Sequence, residues 1–133
     1  MDSQIYWVQD EVIVPDGVSL NYRYWFTNDK QLTRHPPFLL LHDLAVNLRI
    51  WDKLAVELVE TAGSIIFTLD QRGHGLSDKP SFGYSTAQIV EDVSVVTDFH
   101  YLYSEHPILT SGATYILSKP FEQDFRLLAP NLL

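Results

Sequence analysis

Residues Ser64 to Pro80 read SIIFTLDQRGHGLSDKP. The first six, SIIFTL, make a short run that is apolar almost throughout, the pattern of a strand covered on both faces in a parallel sheet. The chain then passes directly into a turn built of Gly73, His74 and Gly75, with Asp70, Arg72 and Ser77 around it. This is not a dinucleotide-binding fingerprint, because the third glycine of G-x-G-x-x-G would fall at Asp78. The turn's glycines permit tight backbone, and loop glycines more often serve conformation than chemistry.

Working outward, FLLL at 38–41 is a second short, wholly apolar run. Between the two strands lies NLRIWDKLAVELVETAG, in which Ile50, Trp51, Leu54, Ala55, Leu58 and Val59 recur at helical spacing. Asn47 is placed as its N-cap and Gly63 as its C-terminal stop. Upstream, EVIVPDGVSLNYRYWF predicts a hairpin turning at Pro15-Asp16-Gly17. Its second arm alternates: Val18, Leu20, Tyr22, Tyr24 and Phe26 share one face, and Ser19, Asn21, Arg23 and Trp25 the other. Downstream, Ser85 and Gln88 have capping-box spacing, with Tyr84 and Ile89 spaced as a hydrophobic staple. The helix they open is expected to turn Ile89, Val93, Val96 and Phe99 toward a core. Strand, helix, strand, helix in this order implies parallel strands with right-handed crossovers. Beyond His100 the signals weaken. HPILTSGATYIL is a candidate strand interrupted by Gly112, and KPFEQDFRLL carries Phe121, Phe125 and Leu128 at helical spacing over about two turns.

The bulk properties agree with one soluble globular domain over 1–133. The 133 residues are 46% hydrophobic and 20% charged, with a net charge of −8. Nine basic residues, scattered rather than clustered, argue against nucleic acid or an anionic membrane as partner. With no cysteine in the chain, disulfides and thiolate chemistry are excluded. The N-terminus lacks the pattern of a secretory signal, and no apolar run approaches the roughly 18 residues of a membrane helix. A cytoplasmic setting is the expectation.

With these elements laid out, residues 12–99 resemble the N-terminal part of the α/β-hydrolase superfamily. The likeness rests on the opening hairpin, the strand FLLLHDL, the helix containing RIWDKLAVEL, and above all DQRGHGLSDKP, which looks like the family's D-x-R-G-x-G-x-S loop. Residues 100–133 form a divergent tail outside it. The resemblance implies an incomplete α/β-hydrolase fold, an antiparallel hairpin followed by parallel strands with crossover helices. It also implies nucleophilic attack on a carbonyl or similar carbon of an ester-like small molecule. It further places the backbone N–H of Leu44, or a neighbour in the His42-Asp43-Leu44 turn, as an oxyanion donor, with Asp70, Arg72, Gly73, His74, Gly75 and Ser77 as a structural loop near the pocket. This chain carries Asp43 where the family has glycine, and a carboxylate there opposes the developing negative charge unless it points away.

In the family the nucleophile, acid and histidine all follow the matched segment. No G-x-S-x-G occurs. Its nearest echo is Gly112-Ala113-Thr114-Tyr115-Ile116, with Thr114 in the nucleophile's place. A β-branched threonine tolerates the strained elbow poorly, Ile116 replaces a glycine, and Pro120 falls inside the helix that should follow, at about 3 kcal/mol or more. Ser111 has Leu109 and Ala113 at the glycine positions. Among the histidines, His35 precedes two prolines, His42 ends a strand, and His100 and His106 flank the end of the match. Asp98 and His100 lie two apart on a helix and so face differently. No metal spacing is present and no cofactor is implied.

The chain is therefore expected to be a hydrolase by ancestry, truncated before a self-contained catalytic triad. It would act on a small-molecule substrate only when completed by a C-terminal half. The alternative is a non-catalytic module that pairs through its open sheet edge. Either residues after His100 improvise cover for the FLLL strand, or that strand becomes an edge prone to self-association or to pairing with a complementary chain.

Overall fold

The computed structural model describes residues 4–27, 38–99, 106–110 and 125–128. Six strands form one open mixed sheet: β1 (Ile5–Ile13), β2 (Ser19–Thr27), β3 (Phe38–Leu41), β4 (Ile66–Leu69), β5 (His106–Thr110) and β6 (Phe125–Leu128), in the order β1-β2-β4-β3-β5-β6. The β1–β2 and β2–β4 pairs are antiparallel, and β4–β3, β3–β5 and β5–β6 are parallel. The hairpin turn closes where Pro15-Asp16-Gly17 predicts, with Val14 and Val18 paired through a 2.9 Å backbone hydrogen bond.

Two helices cover the sheet on opposite faces. Helix α1 (Asp52–Ala62) follows β3 and α2 (Thr86–Phe99) follows β4. The alternation along β2 sorts its side chains between them. Leu20 and Tyr22 join Leu39, Leu41, Phe67 and Leu69 against Val90, Val93 and Val96 of α2. Trp25, Leu40 and Ile66 pack instead against Trp51, Ala55 and Val59 on the α1 side. Both faces are thus apolar, which explains why β3 and β4 read as continuous hydrophobic runs.

Some local expectations shift. The segment that opens with Asn47 begins as a 3-10 turn, Leu48–Trp51, before α1 proper. Asn47 caps that turn, its side-chain oxygen accepting the Arg49 N–H at 2.9 Å, and Gly63 ends α1 in the left-handed region. The tighter winding of a 3-10 turn rotates its residues out of the α-helical phase. Ile50, expected in the buried stripe, is consequently 48% exposed, whereas Trp51, Ala55 and Val59 are buried. At the start of α2, Ser85 Oγ accepts the Gln88 N–H, but the Gln88 amide reaches Asp92 instead of returning to the cap. Val90 takes the buried position beside Val93 and Val96, and Ile89 is half-buried.

The tail also departs from expectation. Residues 125–128, placed in a helical pattern by the spacing of Phe125 and Leu128, form β6 beside β5. Two turns of spacing carry little weight against a strand partner, and β6 pairs in parallel with β5. The first five residues of the candidate strand HPILTSGATYIL form β5, and the remainder, with Gly112, lies outside the described residues. Strand β5 lies against β3, so the chain after His100 does cover the FLLL strand, and β1 and β6 are the sheet's edges among the described residues. No helix among the described residues is long and apolar enough to cross a membrane.

Leu40 is fully buried at the centre of the α1-side cluster. Leu40→Ala is expected to cost about 2–5 kcal/mol in urea denaturation, and Ile50→Ala less than about 0.5 kcal/mol.

Candidate functional site

The parallel strands β3, β4 and β5 end on the same side of the sheet. Leu41 is in register with Leu69 on one neighbour and with Thr110 on the other. Ligands of open α/β sheets collect at the carboxyl ends of such strands. Here that end carries the His42–Ala45 turn and the Asp70–Pro80 loop. Thr114, Ser111 and the rest of the candidate elbow lie outside the described residues.

The loop is held by buried polar groups whose partners are all structural. The Asp70 carboxylate is 2% exposed. Its Oδ1 accepts the Leu48 N–H at 2.8 Å, and its Oδ2 accepts the Asn21 side-chain amide and the Leu76 N–H, both at 3.0 Å. Ser77 Oγ donates to the Asp70 carbonyl at 2.5 Å and accepts the Asn21 N–H at 2.8 Å. Arg72 is 1% exposed. It forms a two-pronged pair with Asp92 of α2, at 2.6 and 2.9 Å, and a third bond to Asp16 in the hairpin turn at 2.9 Å. The hydrogen bonds that Asp92 accepts hold the guanidinium above the ordinary arginine range, and the one that Arg72 donates to Asp16 holds that carboxyl below the usual carboxylate range. One loop is thereby bolted to β2, the 3-10 turn, α2 and the hairpin. Asn21 and Asp92 were not singled out from the sequence, and Asp16 was marked only as a turn residue and not as a partner of Arg72. Only the placement of Asn21 on the polar face of β2 hinted at its role.

Gly73 and Gly75 are both required by close approach as well as by positive φ. A Cβ on Gly73 would meet the Tyr84 ring at 2.7 Å, and one on Gly75 would collide with the Asp70 carboxylate.

The two histidines at this end are committed to backbone. His42 is fully buried, and its Nε2 accepts the Gln71 N–H at 3.0 Å while Nδ1 donates to the Asp43 carbonyl at 2.7 Å. Gln71 also donates through its side chain to the His42 carbonyl at 2.6 Å. Burial holds the His42 imidazole below the ordinary histidine range. His74, its ring centroid 4.7 Å away, repeats the pattern: Nδ1 faces the Arg72 carbonyl at 3.0 Å and Nε2 accepts the Ala45 N–H at 3.1 Å. Ala45 sits at φ +67°, an unusual conformation for a residue with a Cβ, and the His74 bond holds it there. That contact carries no local sequence signal.

The Asp43 carboxylate does not point away. Its Oδ1 accepts the Leu44 N–H at 2.8 Å, so the donor implied by the family resemblance is engaged by the residue that replaces glycine. Leu44 itself is 79% exposed. Among the described residues, no group of three or more His, Cys, Asp or Glu side chains is arranged to hold a metal ion.

An open, helix-covered sheet that begins with an antiparallel hairpin and continues parallel in this order defines the class as an α/β fold of hydrolase type. Comparison with known proteins carries it further. No profile of a known protein family matches the chain. A solved hydrolase from Pseudomonas aeruginosa PA01 superposes with a TM-score of 0.66 at 25% identity, over 78% of this chain and 36% of that one. An α/β hydrolase from Novosphingobium aromaticivorans superposes with a TM-score of 0.67 at 20% identity, over 80% of this chain and 35% of that one. The 2-(acetamidomethylene)succinate hydrolase of Mesorhizobium japonicum is 36% identical over 59 residues, which are 44% of this chain and 20% of that protein. The chain therefore carries the α/β-hydrolase fold over its N-terminal three-quarters, and it spans about a third of the length of these solved structures.

Two outcomes follow from the geometry. Gly75→Ala forces a methyl into the Asp70 carboxylate and is expected to cost about 2–4 kcal/mol in chemical denaturation. Gly17→Ala, with nothing within 4 Å of its added Cβ, should cost about 1 kcal/mol from backbone strain alone. The second outcome concerns pH. Because the folded state holds His42 neutral, its contribution is fully present above about pH 6.5, the ordinary histidine value. As pH falls below that, the unfolded chain takes up a proton that the folded chain refuses, so stability declines by up to about 1.4 kcal/mol per pH unit. Thermal melts from pH 8 to pH 5 should show a steeper acid decline in the parent chain than in His42→Gln.

Proposed function

We propose that the chain is part of a hydrolase that acts on ester-like or related small molecules, and that it does not itself contain a complete catalytic triad. The observation that carries the reading is the ordered sheet, whose β3 and β4 ends present the His42–Ala45 turn and the Asp70–Ser77 loop side by side. The likeness to a hydrolase of 2-(acetamidomethylene)succinate supports the reaction class.

Within this proposal the loop from Asp70 to Ser77 is scaffold and the His42–Ala45 turn is pocket wall. The Leu44 amide becomes an oxyanion donor only when the Asp43 carboxylate leaves it, so Asp43 opposes catalysis in the arrangement seen. The polar groups of the loop support the absence of a self-contained triad. Ser77 Oγ, both histidine rings, Asp70 and Asp92 already serve structural partners.

The test combines an assay with a reading of the gene. The purified chain should hydrolyse p-nitrophenyl acetate no faster than buffer, and Thr114→Ala should behave as the parent does. The coding DNA beyond Leu133, read in all frames, should encode a G-x-S-x-G stretch followed by aspartate and histidine motifs. Turnover that survives purification and vanishes in Thr114→Ala would place the nucleophile in this chain and overturn the proposal.

A further inference from the structure

A cavity of about 280 Å³ lies on the other side of the Asp70 tie, and no residue of the His42–Ala45 turn lines it. Its walls come from β1 and β2 through Gln9 and Arg23, from the 3-10 turn through Asn47 and Arg49, and from the loop through Leu76. We propose that this cavity binds a small organic monocarboxylate, held by the Arg49 guanidinium and the Gln9 and Asn47 side-chain amides.

The polarity of the wall is one-sided. The side-chain oxygen of Asn47 already accepts the Arg49 N–H at 2.9 Å, and that of Gln9 accepts Arg23 Nε at 2.8 Å. The two Asp70 oxygens are engaged by three N–H donors. These acceptors of Gln9, Asn47 and Asp70 are therefore engaged, whereas the amide nitrogens of Gln9 and Asn47 and the guanidinium of Arg49 have no partner among the described residues. A wall that offers donors and few acceptors suits a ligand that accepts.

Charge sets the ligand's valence. Arg23 is compensated by Asp52 at 3.3 Å, whereas Arg49 has no acidic partner among the described residues. Against it stands the buried Asp70 charge, already spread over its three donors. One uncompensated cation fits one carboxylate, and the guanidinium fork matches a carboxylate in two-pronged fashion as an ammonium does not. Leu48 and Leu76 supply apolar wall for the rest of the molecule. The volume lies just under the roughly 300 Å³ at which ligand clefts begin, which restricts the occupant to a small molecule.

Benzoate and its uncharged analogue benzyl alcohol serve as probes, with saturation-transfer NMR on their ring protons in the presence of the full chain. Benzoate should give a saturable signal with a Kd in the millimolar range, and benzyl alcohol should give at least tenfold less at equal concentration. Arg49→Gln should weaken benzoate at least tenfold and Arg49→Lys by an intermediate factor, with thermal midpoints unchanged because Arg49 is exposed and its guanidinium has no partner among the described residues. Glu60→Gln, exposed on α1 and outside the cavity, should leave benzoate binding as it is. A benzoate signal that does not saturate, is matched by benzyl alcohol, or persists in Arg49→Gln would overturn the proposal. Because the readout is binding and not turnover, it stands or falls separately from the hydrolase reading.

Discussion

A single buried carboxylate organises the carboxyl end of this sheet. Asp70 leaves β4 with 2% exposure and collects donors from three separate segments: Asn21 on β2, Leu48 at the head of the 3-10 turn, and Leu76 in its own loop. An ionised carboxylate removed from water is tolerated only when its lone pairs are met, so the cost of its burial is conditional on all three segments being in place. Removing any one leaves a buried acceptor or donor short, at about 1–3 kcal/mol or more for a charged group. The interaction is therefore cooperative. It fixes the entry to α1 and the path of the glycine turn in the same act, and Gly75 is glycine because the carboxylate occupies the space a Cβ would need.

Arg72 performs the complementary task one layer out. Its paired bonds to Asp92 and its bond to Asp16 tie α2 and the hairpin turn to the loop. A buried arginine is tolerable here because all three of its bonds are charge-assisted and two are parallel on one carboxylate. With Asp70 facing the α1 side and Arg72 facing α2, the loop joins the two layers that the sheet separates.

Much of this was legible in the chain because it is written in local periods. The two-residue alternation of β2, the apolar runs of β3 and β4, the turn at Asp16-Gly17 and the caps at Asn47, Gly63 and Ser85 depend on neighbours a few positions away. What was not legible depends on distance or on a choice between similar local states. Ile50 fits the α-helical stripe, yet the chain there winds as a 3-10 turn and exposes it. Phe125 and Leu128 fit a helix or a strand equally, and pairing with β5 decides the matter. The sequence marked Asp70, Arg72 and Ser77 as loop ties, but their partners outside the loop lie 20 to 56 residues away and no period records them. The His74–Ala45 contact is of the same kind.

The protonation pattern of the two imidazoles limits what this end of the sheet can do. A histidine acting as general base needs an unprotonated ring nitrogen free to receive a proton. In His42 and in His74 the unprotonated nitrogen is Nε2, and in each it already accepts a main-chain N–H, from Gln71 and Ala45 respectively. The His42 ring could take a proton only by releasing that amide and placing a charge in a site with no exposure. Both rings thus act as spacers between main-chain segments, and the chemistry this turn can offer is that of its amides. Of these, Ala45 is engaged by His74 and Leu44 by the Asp43 carboxylate. The Leu44 amide is the more accessible of the two, because freeing it needs only the rotation of one exposed side chain, whereas freeing Ala45 needs the loop to move. Among the described residues, an anion placed against this turn would compete with the Asp43 carboxylate for the Leu44 amide.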